Sequence, residues 1–261
     1  MMPWLPPPPG EGWGGGTAAF ISIAALWLAL AIDAWLGEPP ARWHPVVWMG
    51  RYLDGTGRRI APRAEAARSP DFPRFLAGAM AWCVGAAMVL GAAWALTAAA
   101  DRLPGWAGAL LLGLALKPLL AWRMLRDEVL AVEDALAVSL DAGRTRLARL
   151  VSRDVDALSA AEVRESAIES LAENLNDSVV APIFWFVVLG LPGAAVYRFA
   201  NTADAMWGYL GLRGGRDWTW AGKWAARADD VLSWVPARLT ALLLYGPAQR
   251  PGWRTLRREA C

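Results

Sequence analysis

Apolar residues in this chain fall in long blocks separated by short polar turns. Residues 17–36 form the first block, with Asp33 near its end. Residues 76–100 carry no charge at all, and residues 106–122 return after the turn Asp101-Arg102-Leu103-Pro104-Gly105. About 20 predominantly apolar residues cross a bilayer core as a helix. The pattern therefore predicts three spanning helices, with Lys117 in the third snorkelling towards the headgroups.

Beyond residue 122 the period changes. Trp122, Leu125, Val129, Val132, Leu136 and Leu140 recur at threes and fours, the stripe of an amphipathic helix. Ser159 with Glu162 three residues on is a capping-box signature, so a second helix is predicted to start there. On it Val163, Ile168, Leu171 and Leu175 are expected to form the apolar side. Glu165, Glu169, Glu173 and Asp177 recur every fourth residue on the other side, each step drifting only about 40° around the helix.

Residues 179–199 are apolar again but contain Gly190-Leu191-Pro192-Gly193, a strong turn signal. The residues ahead of the turn reach only about 18 Å as a helix, short of a core of roughly 30 Å. A re-entrant helical hairpin is predicted, bringing Asp177 and Asn201 to the same surface. A short apolar segment follows at 231–245.

Charge supports this layout. Arginines crowd the stretch between the first two blocks (Arg42, Arg51, Arg58, Arg59, among others) and the stretch after the third (Arg123, Arg126, Arg144, Arg146). The leader has no Lys or Arg. The positive-inside rule puts both large segments in the cytoplasm and the N-terminus outside. A simple crossing at 179–199 would send Arg213, Arg216, Lys223 and Arg227 outside, which the hairpin avoids.

The expected fold is an all-α polytopic integral membrane protein with a cytoplasmic helical insertion and a re-entrant helical hairpin. Residues 1–16 read as a disordered leader, 17–246 as one membrane-embedded domain with cytoplasmic segments 37–75 and 123–178, and 247–261 as a short basic tail. Composition agrees: of 261 residues 56% are hydrophobic and only 19% charged. Two cysteines and one histidine make neither a disulfide framework nor a zinc site of the usual kind. No basic-aromatic motif points to nucleic acid.

Four patches could carry chemistry. Like charges at i,i+4 oppose one another by about 0.2–0.5 kcal/mol per pair, and no Lys interrupts the acidic row. Glu165, Glu169, Glu173 and Asp177 together are thus candidates to hold Mg²⁺ or a cationic group. Asn201 and Asp204 lie three apart on one helical face next to the apolar run, where unsatisfied polar groups are costly. Asp229 and Asp230 precede Arg238, whose guanidinium within an apolar segment calls for a carboxylate or phosphate. Asp33 and His44 flank the proline-rich exit from the first block, and His44 could carry a proton. A membrane prenyl- or phospho-transferase and a non-catalytic transporter or assembly subunit are rival classes.

In this order the patches resemble the adenosylcobinamide-phosphate synthase family of cobalamin biosynthesis. The matching stretches are residues 33–39 with His44-Pro45-Val46 and Met49-Gly50; Ser152-Arg153-Asp154; Glu169-Ser170-Leu171-Ala172-Glu173-Asn174 with Asp177 and Pro182; Gly193, Tyr197, Asn201-Thr202, Asp204, Met206 and Gly208; and Asp229-Asp230 with Pro236-Ala237-Arg238-Leu239-Thr240. Ser152 and Val155 stand where the family usually has Gly and Thr, and Ser233 where it usually has Asn. The family also continues past the last motif, so residues 247–261 look truncated relative to it. The resemblance implies amide formation between (R)-1-aminopropan-2-ol phosphate, or an analogue, and a corrin carboxylate of adenosylcobyric acid, driven by ATP with Mg²⁺. Glu169, Glu173, Asn174, Asp177, Asn201 and Asp204 would be catalytic, and Asp33, His44, Arg153, Asp229, Asp230 and Arg238 would bind substrate. The partners it implies are a corrinoid, an aminoalkyl phosphate, the lipid bilayer and other enzymes of the pathway, in the bacterial inner membrane.

Overall fold

The first apolar block forms α1 (Gly14–Leu36), which ends where Gly37 turns the chain at φ +68°. A 3-10 turn (Ala41–Trp43) leads into α2 (Pro45–Ile60), then α3 (Phe72–Ala100) and α4 (Gly105–Leu116). The structure, a computed structural model, describes residues 14–63, 70–151 and 154–248. Most of the expected leader, Ser152, Arg153 and nearly all of the basic tail lie outside these residues.

The third block does not run through to Trp122. Pro118 lacks an N–H, and α4 tightens into a 3-10 turn over Lys117–Leu119 before Leu120 becomes extended. Gly105 lies beside Ile21, Gly113 beside Leu28 and Lys117 beside Asp33, so α1 and α4 run parallel, as a pair separated by α3 must. Exposed Trp27, Met80, Met88 and Trp94 on α1 and α3 leave broad apolar surface for lipid. Four helical stretches are long and apolar enough to cross a membrane. Together these features make an all-α multi-pass membrane protein.

Past the break, α5 (Trp122–Val138), α6 (Leu140–Leu147) and α7 (Ala160–Leu175) form the helical insertion around their own small core. The predicted stripe on α5 is the one that packs there: Val132 is buried, with Val129, Leu136 and Leu140 against the cluster. Ser159 caps α7 in the full two-way capping box with Glu162. The apolar side of α7 differs from expectation. Val163, Ser166, Ala167 and Ser170 are buried, whereas Ile168 is 63% exposed. Small residues, rather than the branched Ile168, face the neighbouring helices.

The apolar run after α7 is a hairpin. A π turn (Asn176–Val180) opens α8 (Ala181–Trp207), and Gly190 breaks α8 at φ +67°, ψ −161°, a conformation essentially confined to glycine. Pro192 then opens the returning arm with its φ already helical. The arms return so fully that Asn201 meets Asp177 at 3.0 Å. A continuous helix would hold those residues about 36 Å apart.

Two short strands were not foreseen. β1 (Leu212–Arg213) and β2 (Arg216–Asp217) pair around Gly214-Gly215, both at positive φ, as a two-residue hairpin turn requires. The last helix, α9 (Lys223–Ala248), absorbs the predicted 231–245 segment and begins well before it. It packs along the hairpin, where Trp185 donates to the Leu232 carbonyl and Thr240 to Asn176.

Candidate functional site

Asp177 sits at the base of the hairpin, where the π turn redirects the chain. Its Oδ1 accepts Asn176 Nδ2 at 2.9 Å and Tyr197 Oη at 3.5 Å, and its Oδ2 accepts Asn201 Nδ2 at 3.0 Å. All three donors are neutral. Two come from the returning arm, so the carboxylate is assembled only when the hairpin closes. Thr240 on α9 donates to Asn176 Oδ1 at 3.1 Å and Ser233 pairs with Tyr197 Oη at 3.1 Å, which fixes two of those donors in turn.

Asp229 joins from the second turn of α9, ahead of that helix's apolar stretch. It is not a cap. Burial pushes its carboxyl up to about 7, the charges of Asp177, Asp204 and Asp230 add to the rise, and a hydrogen bond with Asn201 opposes it. Its Oδ1 is buried and meets no partner among the described residues. Asp204 interacts electrostatically with both Asp230 and Asp177. Asp230 is exposed and pairs with Arg227 at 3.3 Å. Four acids from π turn, α8 and α9 thus share one neighbourhood.

The rest of the acidic row stays outside it. Glu165, Glu169 and Glu173 are exposed on α7. Three steps of about 40° rotate Asp177 roughly 120° from Glu165, towards the packed side of the helix. Asn174 turns back on its own helix, donating to Ser170 O at 2.8 Å. Among the described residues no group of three His, Cys, Asp or Glu side chains is arranged to hold a metal ion. The Mg²⁺ set expected on Glu169, Glu173 and Asp177 does not fit as a protein-built metal cage.

Asp33 and His44 belong to a second knot, built where α1 ends and α4 breaks. Asp33 is fully buried (0% exposed); its Oδ2 accepts the Arg123 backbone N–H at 3.0 Å, and its Oδ1 is 3.4 Å from Lys117 Nζ. Lys117 also reaches Glu38 Oε2 at 3.0 Å, and His44 Nε2 meets the same oxygen at 3.0 Å. Burial tends to raise the Glu38 pKa, but hydrogen bonds from His44 and Lys117, and their charges, hold it below the usual carboxylate value. Lys117 does not snorkel: its ammonium is buried between two acids. Beside the knot a cleft of roughly 460 Å³ opens among α2, α3, α4 and α8, with apolar walls that include Trp48, Tyr52, Met88 and Phe199.

The two clusters adjoin. The Ala121 N–H donates to Ser178 O at 3.1 Å, and Arg198 interacts electrostatically with both Asp177 and Glu38. Sequence reasoning passed over Lys117, Glu38 and Arg198 as working groups. A lysine and an arginine inside apolar runs were the signal that could have found them. Arg238, by contrast, meets no carboxylate among the described residues. It is exposed, stacked 3.6 Å over the Trp234 ring, with Nη1 on the Trp234 carbonyl at 2.6 Å. The Trp234 ring, one turn away on the same helix, takes the guanidinium instead.

The fold and site define a polytopic membrane protein that gathers acids from a broken helix and its neighbours, next to a buried ionic knot with an apolar cleft beside it. Comparison with known proteins gives the family. The model described as CobD/Cbib protein matches residues 26–261. The chain is 44% identical over 247 residues to the cobalamin biosynthesis protein CobD of Chromobacterium violaceum, covering 92% of this chain and 74% of that one. It is 42% identical over 224 residues to the probable cobalamin biosynthesis protein CobD of Pyrococcus abyssi (85% and 70% covered). The corresponding figures for CobD of Brucella suis are 38% over 234 residues, with 85% and 67% covered. No solved structure matches. The chain belongs to the CobD/Cbib family of cobalamin biosynthesis proteins.

Proposed function

We propose that the protein joins the amino group of (R)-1-aminopropan-2-ol phosphate, or a close analogue, to a corrin carboxylate of adenosylcobyric acid, giving adenosylcobinamide phosphate. Family membership supports the pathway. The observation that carries the site is Asp177 held by Asn201 across the hairpin with the half-buried Asp229 alongside. An amine reaches neutral pH as an ammonium and must lose a proton before it can attack a carbonyl. Asp177 offers a carboxylate to the ammonium. Asp229, with its carboxyl raised to about 7, is matched to accept the proton. Loss of the oxygen leaving group from the tetrahedral intermediate then leaves the amide.

ATP would convert that oxygen into a leaving group. The sequence holds no phosphate loop of the P-loop type. Glu169 and Glu173 stand on the exposed side of α7. The arginine distribution supports a bacterial inner membrane setting with the N-terminus outside and the site facing the cytoplasm.

The direct test incubates purified protein with adenosylcobyric acid, the amino-alcohol phosphate and ATP–Mg²⁺, and reads the product mass. A product one amide condensation heavier than the corrinoid is expected. Its formation should fall about a hundredfold or more in Asp177→Asn, and less in Glu173→Gln. Equal losses would move the chemistry to the exposed row, and a wild-type protein that binds corrinoid without forming an amide would overturn the enzyme reading.

A further inference from the structure

Arg198 is a cation kept beside an acid without being paired to it. Its Nη1 donates to Asp177 O at 3.2 Å and to Ser178 Oγ at 3.1 Å, which pins the guanidinium against the π turn. Its Nε is buried and has no partner among the described residues. The Asp177 carboxylate, on the very residue whose carbonyl Arg198 grips, is satisfied by the neutral groups of Asn176, Tyr197 and Asn201. Neighbouring opposite charges normally close into an ion pair. Here the guanidinium keeps an unused N–H, and leaving it buried and unpaired costs free energy that a ligand can recover.

From this arrangement we infer that Arg198 binds the phosphate of the amine substrate. The inference rests on the amide-forming reading and deepens it. A guanidinium edge matches two oxygens of a phosphate, and its planar fork fixes their orientation. An aminoalkyl phosphate carries an ammonium and a phosphate a few bonds apart. The ammonium goes to Asp177 and Asp229, and the phosphate to Arg198, which grips the same turn. That pairing selects a phosphorylated amino alcohol over the free one. It also gives the anion contact to a residue on the hairpin itself rather than to Arg238, which is engaged with Trp234.

The test is calorimetric binding in detergent, with (R)-1-aminopropan-2-ol phosphate, the unphosphorylated amino alcohol and inorganic phosphate as probes. Wild-type protein should bind the phosphorylated amine at least about tenfold more tightly than the free one, and inorganic phosphate should compete with it. Arg198→Lys, which keeps charge but loses the fork, should erase most of that preference while the free amine binds as before. Equal wild-type affinity for the two amines would overturn the inference whether or not the variant folds. So would a loss in Arg198→Lys that is the same for both amines, since a purely structural role predicts it. Amide formation by wild type is read separately. Product with no phosphate preference sinks the Arg198 contact alone, and a phosphate preference lost in Arg198→Lys without product sinks the reaction alone.

Discussion

Replacing Lys117 by Met should destabilise the protein by about 3 kcal/mol, within the 3–5 kcal/mol expected for removing one partner of a buried ion pair. Once the ammonium is gone, the two acids differ in what can replace it. The Glu38 side chain is 23% exposed and also holds His44, so water and the imidazole can take over its charge. The Asp33 side chain is 1% exposed and, among the described residues, keeps only the Arg123 N–H. Asp33 therefore bears most of the loss, which argues for the lower end of the range. Met conserves most of the lysine stem's volume, so packing contributes little. The assay is unfolding by SDS in mixed micelles, followed by the fluorescence of the chain's 17 tryptophans. Asp33→Asn in the Lys117→Met background should recover much of the loss, because it removes the stranded charge. A single variant within about 0.5 kcal/mol of wild type, or a double variant no better than the single, would refute the claim that the knot is a desolvated ion pair.

Ionisation of Asp229 gives a pH dependence. Between an unfolded value of about 3.9 and the folded value of about 7, the native state holds the extra proton, so this group's contribution to stability falls as pH rises through that window and is level above it. Asp229→Asn should therefore raise the melting temperature at pH 8 more than at pH 4; the reverse order would remove Asp229 from the buried cluster. If Asp229 is the base, amide formation should rise with pH through about 7 in the wild type, and any residual activity of Asp229→Asn should lack that limb. Gly190→Ala forces a side chain into a conformation at φ +67° and should cost about 1–3 kcal/mol in the same SDS titration. Thr240→Val, which leaves Asn176 without its hydroxyl donor, should lower amide formation more than it lowers stability, since Asn176 in turn holds Asp177.

Much of the fold was written in periodicity. The blocks at α1 and α3, the stripe from Val129 to Leu140 and the Ser159–Glu162 cap each depend on local spacing, and each formed as spaced. The hairpin was legible because glycine and proline at 190–193 act locally on the backbone. The site was legible only in part. Asp177 and Asn201 could be paired through the hairpin, but the separation of Asp177 from Glu165, Glu169 and Glu173 depends on drift around α7 and on which face packs. Spacing alone does not set that face, as the exposed Ile168 shows. Lys117 and Arg198 hid inside apolar runs because their partners, Asp33, Glu38 and Ser178, come from distant segments. Arg238 misled for the complementary reason: its partner, Trp234, is one turn away.

Everything in the site depends on α8 folding back at Gly190, so that residues on either side of it reach the same membrane face. Cysteine labelling measures this directly. In a background of Cys83→Ser and Cys261→Ser, Arg213→Cys should react with an impermeant maleimide only from the cytoplasmic side of oriented membrane vesicles, while Arg102→Cys in the α3–α4 turn should react only from the opposite side. Labelling of residue 213 from the same side as residue 102 would mean that α8 crosses the bilayer, and would contradict the account.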